Sequence, residues 1–463
     1  MDYSFLNVID EKREELQETA DYIWENPELA FTEYKSAAAL EALLEKEGFQ
    51  VEKGLAGIET AFSGRFGSGS PVIGFLGEFD ALSGLRQTAD TAEQDAAAGG
   101  PGHGCGHNLL GIGSLAAAIG LKNYLEERKC AGTVIYFGCP GEEGGSGKAF
   151  MARDHVFDGL DAAFCWHPSD VTGVSYARNL GNAQLLFKFT GKAAHASASP
   201  DEGRSALDAL ELMNVGVNFL REHMPLTARV HYAITDTGGI SPNVVQAHAE
   251  ALYLVRAADN KQVKQLTERV INIARGAALM TDTNMEYVFI KACSNMIRND
   301  VLRELLQEKL EALPLPAPSA EDLAFGREMA EKALTDFREA DPQEPYEMKI
   351  QRLRPQKIGK GSSDVADVSW NCPTGEVRVR TACKGTPLHS WQMTAQGKRA
   401  LAKDSTLYVG KVLAAAAAEL IEHPERLEAA KEEHKKNVGP EGYVPPIPAG
   451  VVPTPMEAFI RKG

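Results

Sequence analysis

Thr133-Val134-Ile135-Tyr136-Phe137-Gly138-Cys139-Pro140-Gly141-Glu142-Glu143-Gly144-Gly145 is the stretch on which the fold turns: an apolar run of strand length that ends in two adjacent carboxylates set among glycines. Two other runs have the same form. Val72 to Leu76 leads to Glu78 and Asp80, and Ala162 to Trp166 leads to His167. Short apolar runs, bounded by polar residues and separated by stretches long enough for helices, read as the buried strands of a parallel α/β sheet. Such sheets bind ligands at the carboxyl ends of their strands. The polar residues that close each run are therefore candidate functional residues.

Outward from these strands the pattern changes twice. Before them, Glu11 to Gly48 carries apolar residues at helical spacing, broken at Asn26-Pro27 and closed by Gly48. After them, from about Gln184, strand-like runs at Leu185 to Thr190, Thr227 to Thr235 and Ala249 to Ala257 alternate with helical stretches at Gly203 to Leu220 and Lys261 to Ala278. That texture suggests a small inserted α+β domain. Leu313 to Pro345, rich in Pro, Ala and Glu, reads as a surface excursion containing a helix, and the sheet resumes at Glu376 to Thr381. The alanine run Ala414 to Ala418 belongs to a helix, and there is no internal repeat.

Bulk properties narrow the class. A chain of 463 residues that is 44% hydrophobic has material for two or three domains, and a formal charge of -16 offers no basic face for nucleic acid or an anionic bilayer. The polar opening, Met1 to Glu15, has no secretory pattern, and Leu109 to Leu121 is too short and interrupted to cross a membrane. Seven cysteines without clustered spacing argue for a reducing, cytoplasmic location and against a disulfide framework.

Two clusters carry chemistry. In His103-Gly104-Cys105-Gly106-His107-Asn108 a thiol and an imidazole alternate with glycines, as either a metal loop or a buried thiol beside a capping histidine. In Gly141 to Gly145 the glycines are expected to keep the loop open, so that one carboxylate ligates a cation while its neighbour serves as general base; the plain alternative is a solvated acidic turn. His167 and the distant His389 are each ordinary alone. Together with the clusters they place Cys, His and Glu at strand ends on one rim, a donor set suited to Mn²⁺ or Zn²⁺. Other chemistries fail: there is no His-Glu-x-x-His pair and no Gly-x-Ser-x-Gly elbow, and Gly147-Lys148 lacks the first glycine and the hydroxyl residue of a phosphate loop.

The order Cys-Gly-His, Glu-Glu-Gly-Gly, strand-His-Pro and a late histidine resembles the M20 metallopeptidases, specifically their amidohydrolase branch, over almost the whole chain. The resemblance implies a mixed-sheet, zinc-peptidase-like catalytic domain (1–181 and 295–463) with an inserted ferredoxin-like lid and dimerisation domain (182–294). It implies two divalent cations per subunit, Mn²⁺ expected and Zn²⁺ the alternative, held by Cys105 as the bridging ligand with His107, Glu143, His167 and His389. Glu142 resembles the general base. His195 looks like the histidine that reaches the partner subunit's site to stabilise the oxyanion, and Asn243 and Arg256 like the substrate-binding pair. The implied reaction is hydrolysis of the amide of an N-acyl glutamate such as p-aminobenzoyl-glutamate. The alternatives are a dipeptidase or carboxypeptidase, another N-acyl-amino-acid hydrolase and, last, a non-catalytic partner subunit. A homodimer is expected, or a pairing with a related subunit. Two departures stand out: Glu78-Phe79-Asp80 replaces a His-x-Asp motif, leaving Asp80 to orient ligands rather than bind a cation, and Asn108 stands where Asp is frequent.

Overall fold

The computed structural model describes residues 2–95 and 99–460. They divide into two compact units, one of residues 1–176, 297–357 and 368–444, the other of residues 177–296, 358–367 and 445–463.

After a short helical turn at Asn7–Glu11, the first unit carries helices α1 (Arg13–Glu25) and α2 (Tyr34–Lys46). Leu16, Ala20 and Ile23 bury one face of α1, and Asn26 ends it before Pro27. The strands are β1 (Gln50–Lys53), β2 (Phe62–Ser68), β3 (Val72–Glu78), β4 (Gly132–Cys139), β5 (Ala162–Ser169) and β6 (Gly173–Val174), with a seventh at Thr374–Arg380. Their order is β1-β2-β4-β3-β5, the seventh strand, then β6. The four central strands run parallel, and β1, β2 and β6 pair antiparallel at the edges, which gives the expected mixed sheet. The sheet extends beyond the sequence reading: β3, β4 and β5 run on to Glu78, Cys139 and Ser169, and the antiparallel strands β1, β2 and β6 were not anticipated. Their polar, glycine-containing sequences lack an apolar run.

Helix α3 (His107–Arg128) starts at the sheet's carboxyl end and is buried along most of its length. Small residues let its neighbours approach. The Trp166 indole donates to the Leu110 carbonyl (2.9 Å), and a Cβ at Gly113 would lie 2.6 Å from that ring. Helix Ala400–Glu422 approaches so closely that a Cβ at Gly410 would lie 2.7 Å from Ala116 Cβ. Ala414 to Ala418 are fully buried, so the alanine run serves close packing as well as helix propensity.

The stretch Leu313 to Pro345 is more than a surface excursion. Its helix, Ala320–Lys332, has a capping box made by Ser319 and Asp322, and Phe325, Met329 and Leu334 build a separate core with Tyr346, Cys383, Ala395 and Leu401. Arg380, wholly buried, donates to the Pro316 carbonyl (2.8 Å), and Arg399 pairs with Asp322 (3.0 Å).

The second unit runs strand Gly181–Thr190, helix Ala206–Arg221, strands Arg229–Asp236 and His248–Ala257, helix Asn260–Thr281 and strand Asn284–Cys293, the β-α-β-β-α-β order of a ferredoxin-like fold. All pairs are antiparallel, and Arg229–Asp236 is an edge strand. The last strand, whose first half is largely exposed, was not anticipated. No helix among the described residues is long and apolar enough to cross a membrane.

Gly410→Val is expected to overpack the contact with α3 and to cost about 1–3 kcal/mol. Thermal unfolding would show a lower Tm; an unchanged Tm would refute the close contact.

Candidate metal centre

The carboxyl ends of the parallel strands deliver the side chains. Glu78 ends β3 and Asp80 follows it, the loop after β4 carries Glu142 and Glu143, and β5 carries His167. Cys105 and His107 enter from the start of α3, where Gly106 takes a left-handed φ of 75°. A Cβ there would lie 2.8 Å from Pro168, so only glycine lets the two donors flank β5. His389 also has a positive φ, 59°, and its N–H donates to the Gly104 carbonyl (2.8 Å), which ties its loop to the Cys-Gly-His turn.

Donor atoms of Cys105, His107 and His167 lie within 4.8 Å of one another, as do those of Cys105, Glu143 and His389 and those of Glu78, His107 and Glu142. Cys105 is common to the first two groups. Its Sγ is 3.3 Å from His167 Nε2, and His389 Nε2 is 3.3 Å from Glu143 Oε2. His167 Nδ1 donates to the Pro168 carbonyl (2.7 Å), and burial, then the charges of His107 and Arg378, push its pKa down to about 3. That imidazole is neutral and offers Nε2 as a lone pair.

Asp80 serves two of these groups. Its Oδ1 accepts from His107 Nδ1 (2.9 Å) and its Oδ2 from the Glu143 backbone N–H (2.9 Å). Burial alone would lower the His107 pKa, but the Cys105 sulfur and the Asp80 carboxylate outweigh it and hold it well above its ordinary value. Burial, then Glu143, raises the Cys105 thiol. Glu143 Oε1 is buried without a hydrogen bond, and His107 Nε2, also without one, lies 3.2 Å from Glu78 Oε2. Buried imidazole and carboxylate atoms left without a hydrogen bond are costly unless a cation takes them up, and together with the Cys105 thiol they make a set suited to divalent cations.

Sequence reasoning missed three participants. Glu78, noted only for its place at a strand end, joins His107 and Glu142 in a donor group. Lys148, set aside with the failed phosphate loop, is fully buried with Nζ 2.8 Å from Glu78 Oε1; a lysine directly after a glycine-rich acidic loop was the available signal. Glu33 lies buried beneath the Glu142 loop. It accepts from the N–H of Gly141 (2.8 Å) and of Phe31 (2.9 Å) and from the Thr60 hydroxyl (2.9 Å), and burial, then the Asp80 charge, raises it to about 8.

The loop glycines also need correction. They do not hold the loop open: they let it close on the Phe31 ring, which a Cβ at Gly145 would meet at 2.4 Å and one at Gly141 at 2.8 Å. Asn108 faces away from the centre and donates to the Gly397 carbonyl (3.1 Å), a bond an aspartate could not make. His103 is a buried structural residue whose Nε2 lies 3.1 Å from the Ile23 carbonyl.

In the second unit His195 is exposed, and its Nδ1 accepts from the N–H groups of Ser197 (3.3 Å) and Ala198 (3.2 Å). The neutral tautomer then carries its proton on Nε2. Asn243 is beside it: its carbonyl accepts from the Ala196 N–H (3.0 Å). Arg256, half-buried on strand His248–Ala257, donates to Ser362 Oγ (2.9 Å).

Residues 178–280 match the family described as the peptidase dimerisation domain. The chain is 42% identical to a p-aminobenzoyl-glutamate hydrolase subunit of Escherichia coli K12, covering 98% of this chain and 99% of that protein. It is 28% identical to human Xaa-Arg dipeptidase, covering 94% and 92%. A Bacillus subtilis structure described as a dinuclear metal binding peptidase of the M20 family shares the fold, with a TM-score of 0.57 at 19% identity over 91% of this chain and 99% of that one.

Asp80→Asn keeps the size of the side chain but has a single acceptor oxygen, so it cannot hold both His107 Nδ1 and the Glu143 N–H. Cation affinity is expected to fall roughly 10–100-fold, measured by chelator competition, with Tm lowered by the donor left unpaired; wild-type affinity would remove Asp80 from this role.

Proposed function

The chain belongs to the M20 family of metallopeptidases, in its amidohydrolase branch, and on that premise we propose that it hydrolyses p-aminobenzoyl-glutamate or a similar N-acyl glutamate with two bound divalent cations, Mn²⁺ in preference to Zn²⁺. The observation that carries the reading is the convergence of thiol, imidazole and carboxylate donors from five separate segments in a chain 42% identical, end to end, to a hydrolase of that name.

Cys105, His107, Glu143, His167 and His389 would hold the cations; Cys105 is the donor common to two of the groups. When bound, the cations supply Lewis acidity to the amide carbonyl and the attacking water. Glu142, half-buried beside Glu78 and His107, takes the water's proton and returns it to the leaving nitrogen. Asp80 keeps His107 in one tautomer and the Glu143 backbone in place. His195 donates from Nε2 to the developing oxyanion, while Asn243 and Arg256 bind the substrate, the guanidinium clamping a free carboxylate.

The catalytic part is 1–181 with 295–463, and 182–294 forms the lid and dimerises with a second copy, which supplies His195 to its neighbour's site. This assignment is supported by the family match and by the exposed Leu212, Val215 and Phe219 of helix Ala206–Arg221 and Tyr232 and Ile234 of the edge strand.

Two experiments test the chemistry. Chelation is expected to abolish hydrolysis across a panel of N-acyl glutamates, other N-acyl amino acids and dipeptides, and Mn²⁺ or Zn²⁺ to restore it, with the N-acyl glutamates turned over best. Full turnover by cation-free protein sinks the reaction class, and preference for dipeptides sinks the substrate. Glu142→Ala should lower kcat by roughly 10²–10⁴ at unchanged cation content; near-normal turnover would remove Glu142 from proton transfer.

A further inference from the structure

Beneath the Glu142 loop lies a seat built by the segment between α1 and α2. Phe31 holds a left-handed φ of 64°, unusual for a bulky residue, and its ring fills the space that Gly141 and Gly145 leave open. A backbone in that conformation persists only where its surroundings fix it. Glu33 does so from within: one carboxylate oxygen accepts the N–H groups of both Phe31 and Gly141, and the other accepts the Thr60 hydroxyl. The carboxyl is fully buried, and it joins the strained segment directly to the residue before Glu142.

We propose that Glu33 is a positioning residue for the general-base loop, fixing Glu142 and Glu143 through Gly141 and the Phe31 seat. The inference rests on the reading of Glu142 as base and Glu143 as ligand. Glu33 touches no reacting atom; it acts by setting the first N–H of the loop, whose displacement would move both carboxylates together. The Glu143 N–H is held separately by Asp80, so the loop is pinned at Gly141 by Glu33 and at Glu143 by Asp80, with Glu142 between the pins. Backbone at both neighbours of a catalytic carboxylate is thus held by buried acceptors. Such double fixation matters because a displacement of about 1 Å costs on the order of 100-fold in rate.

Glutamine keeps the geometry in a side chain that cannot ionise. Its Oε1 can accept the same two N–H groups, and its amide can donate to Thr60 Oγ, so every bond has a counterpart. In the full-length, Mn²⁺-loaded protein, Glu33→Gln is expected to keep kcat within about threefold of wild type. Glu33→Ala is expected to lose on the order of 10–100-fold in kcat, with KM nearly unchanged. It should also bind Mn²⁺ more weakly in chelator competition and lose hydrogen-exchange protection at residues 140–147. Thr60→Val, which keeps the carboxylate and removes one bond, should show a smaller loss in the same direction and decides the matter should the alanine variant not fold. Wild-type kcat, Mn²⁺ affinity and loop protection in Glu33→Ala, or in Thr60→Val where that variant must stand alone, would overturn the proposal. A glutamine variant as impaired as the alanine one would do the same. If the wild-type protein hydrolyses none of the amides, the functional reading fails, yet Mn²⁺ affinity and exchange protection still judge Glu33.

Discussion

Mutual repulsion among buried acids is the constraint from which the architecture of this centre follows. Glu78, Asp80, Cys105, Glu142 and Glu143 converge at one rim of the sheet, with donor atoms in each group within 4.8 Å. Two like charges 4 Å apart repel by about 4 kcal/mol at an effective dielectric of 20, so the ionised set cannot persist uncompensated. Lys148 answers Glu78, and the His107 imidazole, held well above its ordinary pKa, answers Asp80. His389, raised in pKa by its bond to Glu143, answers that carboxylate. Glu33, just beneath, escapes the problem by having its pKa raised to about 8, and burial with Glu143 keeps the Cys105 thiol neutral.

Holding repelling groups together also demands stiff supports. Each donor is carried by the end of a parallel strand, the start of a long buried helix, or a loop bonded to one of these. Gly106 permits the Cys105 and His107 side chains to bracket Pro168, and the His389 backbone is bonded to Gly104. The β4 loop is the least regular support and receives the most fastening, from Asp80, Glu33 and the Phe31 ring. Energy spent on a left-handed Phe31 and a buried Glu33 is recovered only if the loop's position matters.

Most of the candidate donors were legible in the sequence because they end an apolar run or stand in a compact motif, and strand ends of a parallel sheet meet on one edge whatever the loops do; His389 does neither and was given a role only by the family resemblance. The order of the inserted unit was legible for the same reason: its helices and most of its strands have clear periods. Glu78, Lys148 and Glu33 were not, because their roles are pairings across tens of residues that no local pattern records. The loop glycines were misread because openness and close contact demand the same residue, and only the position of Phe31 separates them. Strands β1 and β2 were hidden by polar or glycine-containing sequences, and Leu313 to Pro345 passed for surface because its small core borrows Cys383, Ala395 and Leu401 from far along the chain.

The replacement of a His-x-Asp motif by Glu78-Phe79-Asp80 now has a physical consequence. Glu78 commits one oxygen to Lys148 and turns the other toward His107, so the sulfur of Cys105 is left as the donor common to two groups. Burial and Glu143 keep that sulfur protonated until a cation arrives, and His107 likewise holds a proton. Both must be released for these atoms to ligate, so cation binding expels protons and tightens as pH rises. Acidification favours the protonated centre, in which His107 joins Lys148 as a buried counter-charge among the carboxylates. On the proposed reading the same imidazole would serve as counter-charge when protonated and as ligand when neutral, with Asp80, bonded to Nδ1, keeping the ring in place.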